Sequence, residues 1–150
     1  MTRRIEAEEI ATALELGLLS VTDAIRWADA GIEADPHPPF VLIQVSLAAK
    51  APPVEVAHLL RSLPGEPDRR EVARRLVCRI AGALHHGRVT TARAAGILYH
   101  MVLAELIPDP SAEGAMARLD DAFDLARGGY FGTVEEAERD LHEFLDRYTR

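Results

Sequence analysis

The sequence predicts an all-α fold, a single-domain bundle of seven or eight helices over residues 1–150, packed around a buried central helix at 92–106. Three observations carry that expectation. Apolar residues recur at three- and four-residue spacing through most of the chain, as helices with one buried face require. Proline, glycine and short polar residues fall between those stretches, where helices stop and start. The one run that could equally be a strand, Phe40 to Val45, has no second strand to pair with.

Taken in order, the first helix carries Ile5, Ile10 and Leu14 on its apolar side, with Gly17 as its stop and Leu18 beyond. Ser20 and Asp23 form an acidic variant of the capping box. Val21, Ala24, Ile25, Ala28 and Ile32 give the second stripe, which ends before Asp35-Pro36 because the residue before proline avoids helical geometry. Pro38-Pro39 suits a helix start, where a missing N–H costs nothing, so FVLIQVSLAA reads as a short helix. Pro52-Pro53 opens VEVAHLLRSL, which Pro64-Gly65 closes.

Asp68 with Glu71 begins a long helix to His86, stopped by Gly87, with Val72, Leu76, Ile80 and Ala83 as its apolar face. Thr90 or Thr91 caps the helix from Ala92 to Leu106, which is apolar all round and is therefore expected at the centre. Ser111 starts a helix with Leu119 and Phe123 inward and Asp120, Asp121 and Asp124 outward. A glycine-flanked hinge then holds Tyr130 and Phe131. Thr133 with Glu136 caps a last helix with a stripe of Val134, Ala137, Leu141, Phe144, Leu145 and Tyr148. Two boundaries look alike: LGLLSVTDA from Leu16 and HGRVTTARA from His86 both run helix, glycine, short step, hydroxyl cap, helix. One glycine and one cap are read as recurring turn chemistry rather than as a duplication.

Charge narrows the function classes. The formal net charge is −7, unevenly spread. Residues 1–60 hold nine acids against four bases, 61–93 hold eight arginines against three acids, and 94–150 hold twelve acids against five bases. An acidic chain whose basic stripe can pair with its own carboxylates is a poor ligand for phosphate, so no nucleic-acid partner is expected. The lone Cys78 cannot form an internal disulfide, no run is long and apolar enough for a bilayer, and the N-terminus lacks a signal-peptide pattern. A cytoplasmic protein with no membrane partner is expected, its oligomeric state open.

Catalytic signatures are missing: there is no HExxH, paired cysteine, phosphate loop or nucleophile elbow, so neither catalytic residue, metal site nor cofactor is assigned. His85 and His86 diverge by about 100° on a helix and suit its negative end. Cys78 lies off the apolar face near Arg74, Arg75 and Arg79, where an exposed thiol could be reactive. The alternative reading, a ligand-binding or enzymatic bundle, places a buried site near His100 with Tyr99 and Cys78. The leading reading is a non-enzymatic protein-binding module. Its candidate contacts are Trp27 with Asp23, Asp29 and Glu33, the outward Asp120, Asp121 and Asp124, and the hinge aromatics Tyr130 and Phe131, all aimed at a basic protein partner. Trp27 lies about 120° from its helix's apolar stripe, so it is either exposed or covered by Phe40 or a neighbouring helix.

A resemblance adds to this. WAD (Trp27–Asp29), PPF (Pro38–Phe40), LIQVSLA (Leu42–Ala48) and GYFGTVEEAE near the C-terminus resemble a pattern in small all-helical bacterial proteins similar to immunity proteins. Such proteins are small acidic folds that neutralise a toxin delivered by a neighbouring cell. The resemblance implies protein binding without catalysis and brings no catalytic or binding residue with it.

Overall fold

The structure, a computed structural model, describes residues 2–107 and 134–149. Among these residues there are seven helices and no strand: α1 Thr2–Glu15, α2 Val21–Ala34, α3 Phe40–Ser46, α4 Pro53–Arg61, α5 Arg69–His85, α6 Thr91–Leu103 and α7 Val134–Thr149. The all-α expectation holds, and FVLIQVS resolves as helix. The predicted helix from Ser111, with Asp120, Asp121 and Asp124, lies outside the described residues, as do Tyr130 and Phe131. The chain divides into two compact units, Met1–Asp68 and Arg69–Arg150.

In the first unit α1 packs on α4, α2 on α3, and α3 on α4. Its core is Ile10, Leu14, Leu42, Val45, Val56, Leu60 and Leu63, spaced by Ala7, Ala11, Ala24, Ala28 and Ala57. The small residues let the helix axes come close. At Gly31 of α2 an added Cβ would meet the Leu42 side chain at 3.0 Å, so this crossing leaves no room for one without Leu42 yielding. In α1 every residue from Glu9 to Leu14 is buried, so one stretch of this helix is enclosed on all sides, Glu9 and Thr12 included.

Arginine ties the unit's ends together. Arg61, in the last turn of α4, donates from Nε to Glu8 at 3.1 Å, from Nη1 to Glu15, and from Nη2 to Thr12 Oγ1 at 3.3 Å. Desolvation works against its charge, but the bonds to Glu15 and Glu8 outweigh that and raise its pKa. Arg4 Nε reaches the Gly65 carbonyl at 3.0 Å and fixes the chain after α4.

In the second unit α5 packs on α6 and α7. The inward residues are Val72, Ala73, Leu76, Val77 and Ile80 of α5, Ala94, Ala95, Leu98 and Met101 of α6, and Ala137, Leu141, Phe144 and Leu145 of α7. Thr91 at the start of α6 donates from Oγ1 to Glu138 of α7 at 3.1 Å. The expectation of a wholly buried helix here is corrected. Helix α6 buries Ala94, Ile97, Leu98, Met101 and Val102, at i, i+3, i+4, i+7 and i+8, while Arg93, His100 and Leu103 on the opposite side are exposed. Its outer side is wet although most of its residues are apolar.

The two look-alike boundaries have the same geometry. Gly17 and Gly87 adopt φ of 75° and 69°. The following amide closes back at 2.8 Å in each, Leu18 N–H to the Ala13 carbonyl and Arg88 N–H to the Ala83 carbonyl, which is a Schellman ending. Three residues after each glycine comes a hydroxyl cap, Ser20 accepting from Asp23 N–H and Thr90 from Arg93 N–H. The flanking sequences IATALELG and IAGALHHG agree in the same register. A helix–corner–helix unit therefore occurs once in each half.

Candidate protein-docking surface

The surface is built on the proline elbow. After α2 the Asp35 carboxylate turns back to accept from the His37 amide at 2.9 Å and from Nη1 and Nη2 of Arg3 at 3.3 Å each. The His37 bond, with Arg3 in support against some desolvation, lowers the Asp35 pKa. The elbow is thereby anchored to α1. Pro39 then adopts φ −56° and ψ 142° at the N-cap, so that α3 starts at Phe40.

Two turns of α3 cannot bury a mostly apolar sequence on every side. Leu42 and Val45 point inward and are fully buried. Phe40, Ile43 and Leu47, at i, i+3 and i+7, form the opposite face and are 69%, 37% and 82% exposed. Val54, in the first turn of α4, is 66% exposed. Among the described residues these four, with Leu103, are the exposed large hydrophobic side chains. Four of the five therefore fall within fifteen residues of chain, on one element and its neighbour.

One acidic group is held at the edge of this face, and two more are exposed on the neighbouring helices. Asp29 of α2 accepts a hydrogen bond from Ser46 Oγ of α3, which places its carboxylate at the α3 edge. Glu33, four residues further on, lies on the same side of α2 and is exposed. Glu55, next to Val54, is exposed as well. Between residues 27 and 60 the chain carries Asp29, Glu33, Asp35 and Glu55 against Lys50 alone.

Other predicted contacts have structural work. Trp27 is half-buried against the unit's core, and its Nε1 donates to Glu6 of α1 at 2.9 Å. That bond ties it to α1, and Phe40 stays exposed. Asp23 completes the capping box: its Oδ2 accepts from the Ser20 amide at 3.0 Å and from Ser20 Oγ at 2.9 Å. The buried site near His100 is corrected, since His100 faces solvent; Tyr99 is half-buried beside it in sequence. Cys78 is half-buried, with Arg74 Nη1 at 3.7 Å from its Sγ. Among the described residues no group of three or more His, Cys, Asp or Glu side chains could hold a metal ion. No described helix is long and apolar enough to cross a membrane.

Phe40, Ile43, Leu47 and Val54 are candidate residues that the sequence alone did not single out. The signal was present: six of the eight residues from Phe40 to Leu47 are apolar, in a helix too short to be enclosed. Compared with protein-family models, curated proteins and solved structures, the chain has no match.

Proposed function

We propose that the protein is a non-enzymatic binding module that captures a basic protein on the acid-edged strip of α3, with toxin neutralisation as the specific form of that role. The observation that carries the reading is that Phe40, Ile43 and Leu47 stand open on one face of α3, with Asp29 bonded at the α3 edge and Val54 exposed in the next helix. Isolated exposed apolar residues need no explanation, but one helix face left open with several apolar side chains, and a carboxylate at its edge, is what a binding face looks like.

Magnitudes say why both components are needed. Burying what these four side chains leave open contributes on the order of 5 kcal/mol. Association itself costs roughly 4–15 kcal/mol in lost freedom. The apolar strip alone therefore holds a partner weakly, and opposite charge at its edge supplies the approach rate and the remaining affinity. The resemblance to immunity proteins supports the toxin form and stands apart from the geometry.

The test is affinity capture from cell lysates of the source and its competitors, at low and moderate salt. Wild-type protein is expected to retain one stoichiometric, salt-sensitive basic partner. Glu33→Lys with Glu55→Lys should weaken that capture about tenfold and flatten its salt dependence. A folded protein that retains nothing at any ionic strength, or a partner indifferent to both reversals, refutes the reading.

A further inference from the structure

Resting on that reading, we propose that the element the strip receives is a basic amphipathic helix, laid along α3 with its apolar stripe on Phe40, Ile43, Leu47 and Val54. The strip is a ridge, not a pocket. Phe40 and Ile43 of α3 and Leu47 at its C-cap share one face at i, i+3 and i+7 over about 10 Å of rise, and such a face packs against the surface of another helix. A helix of three to four turns spans it, with Asp29 held at the α3 edge and the exposed Glu33 of α2 and Glu55 of α4 open to the basic residues that border its stripe. This is the helix-on-face mode of recognition, read through periodic anchors.

Charge separates this occupant from the nearest rival. A second copy of the chain would bring another −7 and set carboxylates against carboxylates along the strip's edges. The same repulsion becomes attraction when lysines and arginines flank the incoming stripe. Strand addition has no template here, because among the described residues there is no strand edge to extend.

The probe is a fluorescein-labelled synthetic peptide of about 14 residues, with leucines at helical spacing and lysines elsewhere. A second peptide of identical composition has its leucines scattered so that no stripe forms. Binding is read by fluorescence anisotropy against the full-length protein. The striped peptide is expected to bind at least ten times more tightly than the scattered one. Phe40→Asp and Leu47→Asp should each cost about tenfold or more, while Leu103→Asp, on the outer side of α6, changes nothing. Circular dichroism checks that each variant remains helical; the altered side chains are exposed, so it should.

Equal binding of the two peptides, or binding indifferent to Phe40 and Leu47, means diffuse charge attraction and overturns the proposal. So does failure of the striped peptide to bind. A wild-type dimer by light scattering that Leu47→Asp dissolves also overturns it, making a second copy the occupant. These results are separable from failure of the broader reading. A lysate partner sensitive to Glu33 with no peptide binding refutes the helix alone, whereas peptide binding with no lysate partner leaves the strip and removes the capture role.

Discussion

Glu71 shows how a single side chain can hold several neighbours. At the start of α5 its carboxylate accepts from Arg74 at 3.0 and 2.7 Å and from Arg75 at 3.0 Å. The Arg74 bonds first, then Arg75, lower its pKa from 4.5 to about 2. Because the folded value lies below the ordinary one, its contribution to stability is fully present above pH 4.5 and fades as pH falls toward about 2. Glu71→Gln should therefore lower the melting temperature at neutral pH by about a degree or two, since solvent screens the pair. The gap between variant and wild type should close below pH 3; a gap constant down to about pH 2 would show that the arginines do not hold this carboxylate. At this scale the sequence was partly readable. Ser20 with Asp23 was legible as a cap because such bonds are local. The Trp27–Glu6 bond was not, because it joins residues 21 apart in sequence. His100 was misplaced because a helix apolar on most positions conceals which side faces water.

Among elements, the clearest pair is the two corners. Ser20 and Thr90 do the same job one turn into matched sequences, each accepting the amide three residues on, at 3.3 and 3.2 Å. Removing either hydroxyl with Ser20→Ala or Thr90→Ala should cost about 1 kcal/mol in urea unfolding. Asp23→Ala should cost a similar amount through the other half of the box, whereas Glu33→Ala should stay within about 0.5 kcal/mol of wild type. Equal losses at Asp23 and Glu33 would mean that the cap contributes nothing. The helices themselves were legible because period and punctuation are written locally: proline pairs before α3 and α4, Gly17 and Gly87 after α1 and α5. The docking strip was not, because periodicity tells which residues share a face and not which face finds a neighbour. FVLIQVS offers two apolar faces, and only packing on α2 and α4 decides that Leu42 and Val45 are the buried ones.

For the molecule as a whole, the all-helical class was the legible part. The expected all-helical bundle holds among the described residues, its contacts group into Met1–Asp68 and Arg69–Arg150, and the most enclosed stretch described in the first unit is in α1. The pattern of small residues in α1, with Ala7, Ala11 and Ala13 around Ile10 and Leu14, is what closeness on several sides requires. Lone alanines, though, are poor evidence of burial until the neighbours are known.

The open row on α3 also makes this protein a colloid whose dispersion depends on acidity. At pH 7 the net charge of −7 keeps apolar strips on separate molecules apart; near the isoelectric point of 5.3 that barrier vanishes. Turbidity at millimolar concentration should peak there and clear on either side, and Leu47→Asp should suppress most of the haze. If wild-type solutions stay transparent at the isoelectric point, the row is less adhesive than its exposure implies. Handling conditions are then a matter of function: the same four side chains that would grip a partner set the acidity at which the purified protein can be stored.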